Sequence, residues 1–328
     1  MQKHVAAFSD QIQEAIRIAK GSDLRSSETE IKNVLICGIG GSGIGGKIVS
    51  NFFVGSCKVP ISTCNEYELP GYVNENTLCI MSSYSGNTEE VQAMLGQAID
   101  AGAEIACISS GGKLAEIATK RNFNLIKIPG GNPPRSCLGY SLIQQVQYLV
   151  HYKLVDGAIL AQLEESVAYL DDHEKETIKT AEDLAERLVG KLPIIYSSGA
   201  YASIAARFCQ QLNENSKMLC WHNKVPELNH NEIVGWTKRN DLLAPIFIKD
   251  ETDYYRTQTR IAFTEKVVEQ YTDTVLEIAV RGRNQIEKAL YLIHLTDWIS
   301  VKIAEQEGVD PIQIEVIDAL KRELSALQ

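Results

Sequence analysis

The sequence predicts an α/β protein of two units, each built on a mainly parallel sheet, with helices at both ends of the chain. Three observations predict it. Short apolar runs recur with helical stretches between most of them, the pattern of strands joined by crossover helices. The first run, Val34 to Cys37, leads into Gly38-Ile39-Gly40-Gly41-Ser42-Gly43-Ile44-Gly45-Gly46, a strand-to-helix turn with almost no side chains. A weak echo, Tyr196-Ser197-Ser198-Gly199-Ala200, follows a strand in the second half. With 328 residues and 45% hydrophobic content, the chain can bury one large core or two ordinary ones.

In order, the spacing of Val5, Phe8, Ile12, Ile16 and Ala19 predicts a helix over 4–20. A polar stretch, Gly21 to Glu30, leads into the first strand. Strands are expected at 34–37, 60–64, 78–82, 105–109 and 124–128. The breaker cluster Pro129-Gly130-Gly131-Asn132-Pro133-Pro134 ends this first series, and a long helix follows over about 136–154. The domains read as 1–154 and 155–328. In the second, helical spacing runs through Leu160, Leu163, Val167, Leu170, Ile178, Leu184 and Leu188. Strands resume at 194–196, 218–221, 244–248 and 275–279, with helices over 202–213, 254–271 and 285–307. After Gly308-Val309-Asp310-Pro311 a last helix, started by Pro311, runs to the C-terminus.

Composition narrows the function classes. The net charge is −10 with no basic run, so nucleic acid and anionic membrane surfaces are poor partners. No apolar run approaches a membrane span, and Met1-Gln2-Lys3-His4 leads into an amphipathic helix, not a signal. The eight cysteines are scattered without C-x-x-C and read as free thiols of a cytoplasmic protein. The six histidines show no ligand spacing, which argues against a metal site.

The glycine turn offers backbone N–H groups to an anion at a helix start. It also fits a turn that only lets strand and helix pack closely. Gly38, Gly40 and Gly43 match G-x-G-x-x-G, and Glu66 or Glu68 lies near the position expected to hold a ribose, so a dinucleotide reading stands beside it. The next strand-to-helix turn weighs against that reading. Ser82-Ser83-Tyr84-Ser85-Gly86-Asn87-Thr88 opens a helix with more hydroxyls than one N-cap needs, a role Asn87 or Thr88 would fill. A phosphomonoester needs many neutral donors around one anion.

G-x-G-G-S followed some forty residues later by S-Y-S-G-N-T resembles the sugar isomerase (SIS) domain. Pro133-Pro134-Arg135-Ser136-Cys137-Leu138-Gly139-Tyr140 and Pro226-Glu227-Leu228-Asn229-His230-Asn231-Glu232 narrow the resemblance to the bifunctional phosphoglucose/phosphomannose isomerase family. It runs from about residue 30 to the C-terminal helix. It implies two SIS-type three-layer αβα domains and an aldose–ketose isomerase that interconverts glucose 6-phosphate or mannose 6-phosphate with fructose 6-phosphate. It implies a homodimer and no cofactor or metal.

Such a reaction needs a carboxylate base, a ring-opening acid and a cation for the enediolate. The resemblance assigns these to Glu214, in its N-E-N context, to His230, reaching across a dimer interface, and to Arg135, whose direction two prolines fix. It assigns the phosphate to Gly41, Ser42, Ser83, Ser85 and Thr88. A lysine late in the chain assists ring opening. Lys321, in an I-x-x-L-K context on the last helix, is preferred over Lys302, which lies in a long apolar helix. Ile314 is apolar where at least one family variant has a hydroxyl, which bears on the choice between glucose and mannose. Two contrasting functions remain at this stage. A non-catalytic sugar-phosphate sensor would keep the phosphate loops without Glu214, His230 and Arg135, and a dinucleotide oxidoreductase would bind NAD through Glu66 or Glu68.

Overall fold

The computed structural model describes residues 1–326. The chain divides into two compact units. One comprises Lys3–Glu174 with Arg281–Tyr291, the other Lys175–Val280 with Met1–Gln2 and the chain from Leu292 onward.

The first unit begins with α1 (Gln2–Ala6) and α2 (Phe8–Lys20), so the expected single helix is broken at Ala7. Then come β1 (Asn33–Cys37), α3 (Gly40–Phe53), β2 (Ile61–Cys64), β3 (Thr77–Ser82), α4 (Glu89–Asp100), β4 (Glu104–Ser109), α5 (Gly112–Lys120), β5 (Asn124–Lys127) and α6 (Leu138–His151). The five strands form one parallel sheet in the order β2-β1-β3-β4-β5, with Val34 opposite both Ile61 and Leu78. Strand residues alternate between two apolar layers. Leu35, Cys37, Cys79 and Met81 pack against Val91, Met94 and Leu95 of α4 and Leu114 of α5. On the other face Ile36 meets Gly46 of α3, and Tyr148 of α6 donates to the Cys107 carbonyl at 2.7 Å. Each fully buried Leu or Ile here contributes about 1.5–3 kcal/mol.

A 30-residue helix, α7 (Ile159–Leu188), supplies residues to both units. The second unit then adds β6 (Leu192–Ser198), α8 (Ala202–Ser216), β7 (Trp221–Val225), β8 (Leu243–Lys249), α9 (Tyr255–Val268) and β9 (Leu276–Ala279); α10 (Gln285–Gln306), like α7, supplies residues to both units, and α11 (Glu315–Ser325) belongs to the second. Its sheet is parallel in the order β7-β6-β8-β9. Both sheets therefore begin with the same winding: the first strand lies inside, the second at its one side and the third at its other. Chain direction across the sheet reverses at β1 and at β6, and in open α/β sheets the crevice at the carboxyl ends of the strands there is the ligand position.

Three elements depart from expectation. Helix α3 starts at Gly40, so most of the glycine run is its first two turns, not a loop. Tertiary packing overrides the poor helix propensity of glycine there. Strand β7 begins at Trp221, not 218, because Lys217 closes α8 in a left-handed conformation and the Met218 N–H returns to the Leu212 carbonyl. Helix α11 begins at Glu315, well after Pro311, because Asp310 turns the intervening segment by accepting the Ile312 N–H at 2.7 Å. Among the described residues no helix is long and apolar enough to cross a membrane, and all eight cysteines are free.

Candidate active site

At the reversal point of the first sheet three segments meet. The first is the turn from β1 into α3. A Cβ on Gly41 would lie 3.1 Å from the Pro134 carbonyl oxygen and 3.5 Å from Cα of Arg135, so a side chain there would press the Arg135 turn back by a few tenths of an ångström. Ser42 beside it is buried, and its carbonyl accepts from Gln145 of α6 at 3.4 Å. The Asn65 amide donates to the Gly38 carbonyl and closes the turn from the β2 side. Glu66 and Glu68, the residues a dinucleotide reading requires, are exposed.

The second segment is the hydroxyl loop between β3 and α4. Thr88 occupies the N-cap position of α4, yet its side chain caps nothing. Its hydroxyl instead meets that of Ser83 at 2.8 Å, and Ser83 Oγ accepts the Gly86 N–H at 3.1 Å. Ser85 is exposed and accepts the Asn87 N–H at 3.2 Å. The helix start thus keeps its capping place for another acceptor, with the Thr88 and Ser85 hydroxyls at its mouth. Tyr84 ties this loop to its surroundings. Its carbonyl accepts from the Ser110 N–H at 3.0 Å and the Ser110 hydroxyl at 2.7 Å, and its phenol oxygen accepts the Asn132 N–H at 3.0 Å. Burial, aided by Cys137, pushes the Tyr84 phenol up to about 12, so it stays neutral.

The third segment is the single 3-10 turn Pro134–Ser136, which carries Arg135. Arg135 is only 4% exposed. Gln11 of α2 clamps its turn from behind, donating to the Ser136 carbonyl at 2.8 Å and accepting the Gly139 N–H at 2.7 Å. Burial, with the charge of Arg135 contributing, holds the nearby His4 below its usual range.

The second unit carries the other candidates. Glu214 lies in the last turn of α8 and lines a cleft of about 410 Å³ with Asn213, Met218 and Leu219 on one side and Gln313, Ile314 and Ile317 on the other. Its neighbours fix it. Asn215, fully buried, donates to Ser300 Oγ of α10 at 2.9 Å, and Ser216 donates to the Ser300 carbonyl at 2.6 Å. Asn213 donates to the Met218 carbonyl at 2.7 Å. Deeper in, Arg207 and Gln211 of α8 hold Asp297 of α10 at 2.6 and 2.8 Å. Lys217 spans the cleft floor, donating to the carbonyls of Glu214 and Gln313.

Lys321 is exposed on α11, one helical turn beyond Ile317 and so on the same side of the helix, with Asp318 3.9 Å from its ammonium. Lys302 is engaged elsewhere, 3.0 Å from Glu182 and 3.5 Å from Glu305, over the Trp298 ring. Burial pulls the Lys302 pKa down, but the two carboxylates outweigh it and the net shift is upward. His230 ends a short 3-10 turn, Glu227–His230, past the carboxyl end of the edge strand β7. It is exposed, and its imidazole makes no hydrogen bond among the described residues. Glu214 lies near the end of the helix that precedes β7 and His230 follows the carboxyl end of that strand, whose five residues span about 16 Å.

The structure thus gathers Gly41, Ser42, Ser83, Ser85, Thr88 and Arg135 in one unit. In the other it sets Glu214 beside Ile314, with Lys321 farther along α11, and His230 at the far end of β7. Tyr84, Gln11 and the partners of Glu214 escaped sequence reading. Among the described residues no group of His, Cys, Asp or Glu is placed to hold a metal.

Parallel αβα sheets with a hydroxyl loop at the reversal point define a protein of the SIS fold. The bacterial phospho-glucose isomerase C-terminal SIS domain matches residues 177–324. The C-terminal domain of glucosamine-fructose-6-phosphate aminotransferase from Francisella tularensis superimposes with a TM-score of 0.77, covering 95% of this chain and 98% of that one, at 15% identity, a likeness of fold alone. A bifunctional phosphoglucose/phosphomannose isomerase of Caldicellulosiruptor bescii is 37% identical over the full length of both chains. One of Aquifex aeolicus is 33% identical over 92% of this chain and 93% of its own. The chain belongs to the bifunctional phosphoglucose/phosphomannose isomerase family and is an isomerase.

Proposed function

We propose that this isomerase interconverts glucose 6-phosphate and mannose 6-phosphate with fructose 6-phosphate through a cis-enediolate. The observation that carries the reading is the meeting of the Gly41 turn, the hydroxyl loop and the Arg135 turn at one sheet reversal. Neutral donors and a helix start suit the phosphate, and a buried guanidinium suits an oxyanion. Glu214 takes the proton from C2 of the aldose and returns it at C1. Arg135 stabilises the enediolate, and His230 with Lys321 opens the ring. The strand length between Glu214 and His230 favours a homodimer in which each histidine serves its partner's Glu214. Incubating the protein with fructose 6-phosphate, with chelator and without NAD, should yield both aldose 6-phosphates. Phosphosugar binding with no turnover would favour a sensor instead.

Ser85→Ala or Thr88→Ala should weaken fructose 6-phosphate binding by about 1–2 kcal/mol for each lost contact, with turnover less affected. Titration calorimetry reads the first quantity and saturating kinetics the second. A loss of turnover at unchanged affinity would remove these residues from the phosphate site. For the lysine, the engagement of Lys302 by Glu182 and Glu305 supports Lys321. Lys321→Ala should slow glucose 6-phosphate more than 5-deoxyfructose 6-phosphate, which has no hydroxyl with which to close a ring. If Lys321→Ala is silent while a folded Lys302→Ala loses activity, the assignment moves to Lys302.

A further inference from the structure

The turn that carries His230 is held more firmly than its exposure requires. Leu228 is buried in the apolar core with Ile194, Tyr196 and Trp236. Asn229 donates to Thr264 Oγ1 of α9 at 2.8 Å, and Thr264 is fully buried. Asn231 accepts the Glu232 N–H and donates to Glu227 at 3.0 Å. Glu232 then reaches back over the sheet edge. Its carboxylate accepts from the Tyr196 phenol at 2.6 Å, Trp221 Nε1 at 2.9 Å and Asn223 Nδ2 at 2.6 Å. The Tyr196 oxygen in turn accepts from Trp236 Nε1 at 3.1 Å.

Glu232 is half-buried, and its bonds come from three neutral donors on β6 and β7. Desolvating a carboxylate without a cation is a costly way to close a sheet edge, where an apolar side chain would serve. What this arrangement does supply is a fixed backbone on either side of one free imidazole. We propose that Glu232 is a positioning residue for His230, holding the 227–232 turn so that the imidazole meets the sugar ring oxygen in one geometry. The inference rests on His230 acting in ring opening. Proton transfer falls off steeply when a group is displaced by an ångström, which is the effect a loosened turn would have.

Glu232→Gln tests it with a defined defect. The new amide nitrogen faces Asn223 Nδ2, donor against donor, and Asn223 cannot simply flip because its oxygen accepts the Lys224 N–H at 2.8 Å. On glucose 6-phosphate kcat should fall about 10- to 100-fold with KM changed less than about twofold. Turnover of 5-deoxyfructose 6-phosphate should be nearly unchanged. Asn223→Asp combined with Glu232→Gln restores donor to acceptor and should recover most of the activity. In a His230→Ala background, Glu232→Gln should add little further loss. An equal loss with and without His230, or an equal loss on both substrates, would overturn the positioning role. A silent His230→Ala would instead overturn the ring-opening reading beneath it. Should Glu232→Gln fail to fold, Trp221→Phe removes one of the three bonds at a partly exposed site and should give a smaller fall with the same substrate selectivity; the same fall on both substrates would overturn the proposal.

Discussion

Replacing Glu214 with Gln should lower turnover by roughly 10²–10⁴ while fructose 6-phosphate binding stays near its wild-type value. The size follows from the chemistry. A carbon-bound proton must be taken by a base, and an amide of the same shape cannot take it. The selectivity follows from the structure. Glu214 stands at the end of a helix held to α10 through Asp297 and Ser300, so the substitution leaves its scaffold in place. The loops proposed to hold the phosphate, which belong to the other unit, are untouched. Exchange of the C2 proton of glucose 6-phosphate with solvent should fall in parallel with turnover. Full exchange in the variant would mean that another residue is the base.

The second large effect is expected at Gly86. Its φ is +72°, and a Cβ there would lie 1.9 Å from the Gly111 carbonyl oxygen, a backbone atom that cannot swing aside. The Ser83–Thr88 loop lies against the loop after β4 through this contact and against α5 through the bond from the Leu114 N–H to the Gly86 carbonyl at 3.0 Å. Gly86→Ala therefore forces the hydroxyl loop to move and should cost about 3–5 kcal/mol of stability. Sugar-phosphate affinity should be lost with it. Gly96 is the matched control, because it sits within α4 with open space around it. Gly96→Ala should stabilise by about 0.5–1 kcal/mol. Denaturant midpoints and phosphosugar titrations of the two variants separate the cases. Equal stability and affinity in Gly86→Ala would contradict the description of this loop.

Both sheets were legible in the sequence because parallel strands buried on two faces leave unbroken apolar runs, such as Leu78 to Met81 and Ala244 to Ile248. The start of α3 was not legible. Glycine has low helix propensity, and the close packing of Gly46 on Ile36 and of Gly45 on Gln145 of α6 is not visible in the run itself. The start of β7 was hidden by local backbone geometry, since the left-handed Lys217 delays the strand by three residues beyond the apolar run at Met218. The family was legible through the motifs around Ser83, Arg135 and His230. Their supports were not. Gln11 lies 125 residues from Ser136, and Glu232 bonds to Tyr196 across 36 residues, with no sequence pattern to join them. The last helix buries no residue, and its Ile317 and Leu320 are 39% and 58% exposed, a surface exposure that apolar composition does not reveal.

The proposed reaction moves a proton between C1 and C2 of a hexose 6-phosphate through an enediolate held by protein groups. The most direct test is to convert fructose 6-phosphate in heavy water and read the aldose products by proton and deuterium NMR. Glucose 6-phosphate and mannose 6-phosphate should form, each carrying deuterium at C2 in part of the product, because a carboxylate base exchanges its proton with solvent during the enediolate's lifetime. Aldose formed with no deuterium at C2 would indicate direct hydride transfer, and no aldose at all would deny the reaction; either result would contradict the account.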